Sequence, residues 1–151
     1  MLEYGKIWQE YKQSFPFSVK NVIHYLSEAE VIAINEEMVS EFGGIHGVRD
    51  LTLLRSAIGR PQMSVGFQDA YKSIFDKAAA LLHSIINNHP FLDGNKRTSL
   101  FSAITFLERN KWNVEFKRKE AVKFIRKAHD EDYTVEQISK WLKEHSVKIT
   151  S

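Results

Sequence analysis

The stretch His89 to Leu100, HPFLDGNKRTSL, stands between two apolar helical patterns, and that interruption constrains the fold more than any other feature of the sequence. Before it, Ile74, Ala78, Leu81, Leu82 and Ile85 recur at helical spacing, and the run Ala78-Ala79-Ala80 lets a neighbouring helix approach closely. After it, Leu100, Phe101, Ile104 and Leu107, with Ala103 and Phe106, make a helix apolar nearly all round, the pattern of a buried one. Pro90 disfavours right-handed helical geometry at His89, so the first helix is expected to end at Asn87-Asn88 and His89 to be extended, presented from a loop.

The polar side chains in the interruption fit one chemistry. A helix start leaves backbone N–H groups without intrahelical partners, and the aligned peptide dipoles add partial positive charge, so an anion such as phosphate is the natural occupant. Gly94 lets backbone come close to such a ligand because no Cβ intervenes. Lys96 adds a point charge and Arg97 a fork that binds phosphate oxygens in pairs. Asp93 is a hard oxygen ligand of the kind magnesium takes together with substrate phosphates. His89 is the candidate general base, since an imidazole with an ordinary pKa near ~6.5 can accept a hydroxyl proton at neutral pH. Phe91 is expected to point into the core and anchor the loop, and Thr98 and Ser99 are left open between phosphate-binding and helix-start hydroxyls. On these residues alone the reaction is phosphate-ester chemistry on a nucleotide with magnesium, the transferred group undecided.

These residues resemble the Fic/Doc (Fido) family, whose motif runs HPFx(D/E)GN(G/K)RxxR. His89, Pro90, Phe91, Asp93, Gly94, Asn95, Lys96 and Arg97 all match. Lys96 stands where the nucleotidyl-transferring branch has a second glycine, and Leu100 where it has a second arginine; both departures resemble the death-on-curing (Doc) branch. The likeness extends from about Tyr25 through FGGIHGVRD and RPQ to WLKEH.

The resemblance implies an all-α, single-domain helical bundle with a central motif helix and a short β-hairpin flap, residues 1–24 being an extension packed on a domain of residues 25–151. It implies His89, Arg97 and Lys96 as catalytic residues, Gly94, Asn95, Lys96 and Arg97 as nucleotide-binding residues, and Asp93 as the metal ligand, with ATP and Mg2+ as cofactors. The function implied is a toxin that phosphorylates a threonine of a translation factor such as elongation factor Tu. Alternatives are a nucleotidyltransferase moving a nucleoside monophosphate onto a protein hydroxyl, and a non-catalytic nucleotide- or partner-binding module. Self-restraining members of the family carry an inhibitory helix of pattern (S/T)xxxE(G/N), and no glutamate in this sequence is followed by glycine or asparagine, so an antitoxin acting in trans is expected.

The rest of the chain is read in order. Tyr4, Trp8 and Tyr11 fit one side of a short helix within residues 1–24. Ser27 with Glu30 forms a capping box for a helix carrying Val31, Ile34, Met38 and Phe42, stopped by Gly43-Gly44. Asp50 caps a short helix over Leu51 to Ile58; His46, in the loop before it, and His83 are read as ordinary polar residues. RPQMSVGFQDAY, from Arg60 to Tyr71, is the loop or hairpin that the family uses as a flap to align its target by strand pairing. Trp112 to Phe116 is a short connection, followed by helices over about Glu120 to His129 and Val135 to His145. Lys117, Arg118, Lys119, Lys123, Arg126 and Lys127 form a basic face.

With 21 basic and 19 acidic side chains, the charge of +2 is too balanced to argue for direct nucleic-acid binding. No cysteine calls for an oxidising compartment, and no apolar run approaches the ~18 residues of a membrane span, so a soluble cytoplasmic protein is expected.

Overall fold

The computed structural model describes residues 22–150; the expected aromatic helix around Trp8 lies outside them. Helix α1 spans Glu28–Phe42, opened by the reciprocal Ser27/Glu30 capping box and closed at Gly43, whose φ of 92° suits glycine. Helix α2, Leu51–Gly59, starts on the Asp50 carboxylate, which accepts from the Leu53 N–H, and runs into a 3-10 turn over Arg60–Gln62. Two-residue strands β1 (Ser64–Val65) and β2 (Gln68–Asp69) then pair antiparallel around Gly66-Phe67, giving the expected hairpin. Helices α3 (Ile74–Asn88) and α4 (Asn95–Arg109) follow. Strand β3 (Trp112–Val114), α5 (Arg118–Asp130), α6 (Val135–Glu144) and β4 (Ser146–Lys148) complete the chain. Six helices and two small hairpin-sized sheets make the fold an all-α bundle, as expected, among the described residues.

Helix α3 lies at the centre, against α4, α6 and α2. Ala78, Ala79 and Ala80 are wholly buried, so the small-residue run does bring neighbouring backbones close. The motif helix α4 shares the core through Leu100, Ala103, Ile104, Phe106 and Leu107. Truncating a leucine such as the fully buried Leu82 would cost about 2–5 kcal/mol. Two features exceed what the periodicity carried. The segment expected as a connection is strand β3, which pairs with β4, so that Trp112 faces Lys148 in register. Lys77 on α3 is fully buried, its ammonium bonding Asp69 Oδ2 at 3.0 Å and the Pro61 carbonyl at 3.5 Å, which ties the hairpin's base to the central helix.

Candidate anion-binding and catalytic site

The turn between α3 and α4 differs from the expectation at one residue. His89 is left-handed, with φ 47° and ψ 56°, rather than extended. The proline bars the right-handed region, but the His89 N–H still bonds the Ile85 carbonyl, so the residue closes α3 in the left-handed conformation usual at helix ends. For a residue with a side chain this conformation costs roughly 1–2 kcal/mol.

The loop between α1 and α2 holds the turn. Val48 pairs with Phe91 as an isolated antiparallel bridge, the Leu92 N–H bonds Gly47 O at 3.0 Å, and the Ile45 N–H donates to Asp93 Oδ2 at 2.7 Å. Gly44, at φ +119°, is required here, because a Cβ on it would stand 2.8 Å from Asp93 Cβ. Phe91 is buried, as expected, and anchors the loop.

Helix α4 opens on Gly94, itself left-handed at φ 77°, which offers no side-chain cap. The first intrahelical bond is Thr98 N–H to Gly94 O, so the Asn95, Lys96 and Arg97 N–H groups have no intrahelical acceptor and define an anion cradle. The Asn95 side chain is buried and bonds the Phe91 N–H and C=O at 3.0 Å each, so its amide locks the turn and only its backbone N–H is free for a ligand. Thr98 and Ser99 are also turned inward. Thr98 Oγ1 accepts from Asn35, and Ser99 Oγ donates to the Lys96 carbonyl, so neither hydroxyl faces the cradle. Lys96 and Arg97 are exposed at the mouth, the Arg97 guanidinium 4.2 Å from the centre of the Phe42 ring, with Arg118 at 5.9 Å.

These groups share one cleft of about 780 Å3. Its polar end holds His89, Asp93 and the cradle; its apolar flank is Leu100 and Phe101 of α4 facing Val122 and Ile125 of α5, and Arg118 and Arg126 bring part of the basic face to its edge. Leu100, at the position of the family's second arginine, therefore belongs to an apolar wall. The pKa of His89 is lowered, first by partial burial and then by its neighbours His129, Arg49 and Lys96, which favours the neutral imidazole. The His129 ring stands edge-on to it at 5.5 Å. Among the described residues no cluster of three acidic or imidazole side chains could cage a metal. The lone Asp93, with Oδ2 bonded and Oδ1 not used by a described residue, suits a magnesium ion that takes its remaining ligands from phosphate and water.

The structure thus brings all six expected site residues to one cleft, and four further residues make contacts to them that periodicity did not reveal. Asn35, on the buried face of α1, donates to the Asp93 carbonyl at 2.9 Å and to Thr98 Oγ1 at 3.1 Å. Arg49 bonds the α3 terminus, Phe42 stacks under Arg97, and His129 reaches His89 from α5. An asparagine in phase with Val31 and Met38 was the one local sign of this; the other contacts join segments tens of residues apart.

Fold and site together define a helical protein in which three N–H groups without intrahelical acceptors and an imidazole of lowered pKa stand together at the start of a core helix. The chain belongs to the Fic/DOC family, whose profile matches residues 25–107, and to its Doc branch. It is 54% identical over 69 residues to "Toxin Doc" of Mycolicibacterium smegmatis, covering 46% of this chain and 53% of that protein. It is 35% identical over 88 residues to "Protein kinase doc" of Escherichia phage P1, covering 58% of this chain and 69% of that one. The match to the first of these spans about half of that relative's length. No helix among the described residues is long and apolar enough to cross a membrane.

Proposed function

We propose that the protein is a Doc-type toxin that transfers the γ-phosphoryl group of ATP to a hydroxyl of a protein target, a threonine of a translation factor such as elongation factor Tu, and that an antitoxin restrains it in trans. The observation that carries this reading is the juxtaposition, in one cleft, of the His89 imidazole with the N–H groups of Asn95, Lys96 and Arg97, which have no intrahelical acceptor.

His89 takes the proton of the attacking hydroxyl while the new O–P bond forms and the bond to the β-phosphate oxygen breaks, leaving phosphothreonine and ADP. The cradle and the Lys96 and Arg97 charges hold the phosphate oxygens and balance the charge that develops on them. Asp93 would hold a magnesium ion, which when bound neutralises phosphate charge. Lys96 stands where the nucleotidyl-transferring branch has a glycine, and Leu100 supplies apolar wall where that branch has an arginine, so a polyphosphate lacks one guanidinium contact in this cleft. The exposed β1–β2 hairpin, with Val65 and Phe67 in solvent, is the surface on which the target segment would align.

The test is incubation of purified protein with the target, magnesium and ATP labelled separately at the α- and γ-positions. Label from the γ-position appearing on the target, and disappearing with His89→Ala, supports the proposal. Label from the α-position would establish nucleotidyl transfer instead, and growth arrest that survives His89→Ala would mean that the protein acts by binding.

A further inference from the structure

Three consecutive backbone carbonyls, those of Asn88, His89 and Pro90, all accept hydrogen bonds from Arg49, and the Pro90 carbonyl accepts a second, at 3.1 Å, from the Asp50 N–H. Arg49 Nη2 donates to Asn88 O at 2.8 Å, Arg49 Nε to His89 O at 2.6 Å, and the Arg49 backbone N–H to Pro90 O at 2.7 Å. The bonds span the α3 terminus, the left-handed residue and the proline after it. Asp50 already caps α2, and the Val48–Phe91 bridge already joins loop to turn. The guanidinium lies where the last carbonyls of α3 carry partial negative charge, the place on a helix where a cation is held best.

We infer that Arg49 is a positioning residue for His89: its fork and its backbone fix the strained left-handed turn from which the imidazole enters the cleft. The inference rests on the reading of His89 as the base. Without the two side-chain bonds, the residue before Pro90 relaxes toward the extended region that proline favours, which swings the imidazole away from the cradle. A fork is needed because two neighbouring carbonyls are gripped by one planar group; a lysine ammonium meets them with no fixed geometry. The charged and titratable groups that face His89 are Arg49 from the loop, Lys96 from α4 and His129 from α5. Only Arg49 is hydrogen-bonded to its backbone.

The experiment compares the full chain with Arg49→Ala, Arg49→Gln and Arg49→Lys. The first readout is the His89 backbone in isotope-labelled protein, where a positive φ gives a strong intraresidue amide-to-Hα cross-relaxation signal. The second is phosphoryl transfer, read as kcat and KM for ATP. Arg49→Ala is expected to lose the positive-φ signature at His89 while amide shifts elsewhere in α3 and α4 hold. Its kcat should fall roughly 100-fold with KM within about twofold, since the cradle is untouched. Arg49→Lys should recover only part of kcat, and guanidinium ion added to Arg49→Ala should raise it. A His89 signature unchanged in Arg49→Ala would overturn the inference, as would full activity in Arg49→Lys; should Arg49→Ala fail to fold, Arg49→Gln is read by the same criteria. If wild-type protein transfers nothing from ATP while Arg49→Ala still loses the signature, positioning stands and the proposed activity fails.

Discussion

Asn35→Ala tests whether the loop carrying Asp93, the proposed magnesium ligand, is held from α1. Asn35 is 1% exposed, and its amide donates to the Asp93 carbonyl and to Thr98 Oγ1, itself wholly buried. Alanine removes both bonds. Each buried acceptor left without its donor costs about 1–3 kcal/mol; the Thr98 hydroxyl can turn to a new partner, so a total of about 2–4 kcal/mol is expected. At about 2–4 °C per kcal/mol for a chain of this size, the melting temperature should fall by roughly 4–16 °C. The variant should still be folded at 25 °C, because domains are commonly stable by about 5–15 kcal/mol. Freed from α1, Asp93 should also hold magnesium less well, so the transfer rate should need more metal to saturate. Asn35→Asp keeps the shape but replaces the donors with a carboxylate facing the Asp93 carbonyl, and should cost at least as much. Thermal unfolding and a magnesium titration of the rate measure both effects. A loss under about 1 kcal/mol with an unchanged magnesium dependence would refute the assignment of Asn35 to the site.

Gly44→Ala should raise the magnesium concentration needed to saturate the rate more than Gly43→Ala does. Both glycines have positive φ, but only at Gly44 would the added Cβ strike Asp93; the two variants measured side by side separate contact from backbone strain. The pH–rate profile in kcat/KM should have its acid limb below ~6.5, since the proposed reaction uses His89 in its neutral form and its pKa is lowered. Stability should follow the same sign. His83, desolvated and next to Arg60, is also shifted down, so below ~6.5 the unfolded chain binds more protons than the folded one. Urea midpoints should therefore fall as pH drops from that value toward the folded pKa values and be level above it. At the hairpin, Asp69→Ala should destabilise more than Lys77→Met, because the first strands a buried ammonium and the second removes it; equal chemical denaturation midpoints would argue against the tether.

The local physics of this chain was legible because it needs only neighbours a few residues apart. Ser27 with Glu30, and Thr134 with Gln137, close reciprocal caps over a single turn, and the apolar spacing of α3 and α4 follows from the helical repeat. The anion cradle belongs to the same class, since a glycine before an uncapped helix start exposes N–H groups wherever the helix lies. Tertiary structure decided what distant segments do to one another. Asn95 reads as a ligand from its place in the motif, yet its amide is used on Phe91; Lys77, a charged residue within an apolar helix, is buried and bonded to the hairpin. His89 should be extended by the rule for residues before proline, but the unbroken bond to Ile85 and the grip of Arg49, 40 positions away, make it left-handed. Short-range sterics and periodicity choose the elements and the kind of site. Hydrogen bonds between segments far apart in sequence, which no local pattern encodes, decide which side chains face the ligand and which ones hold them there.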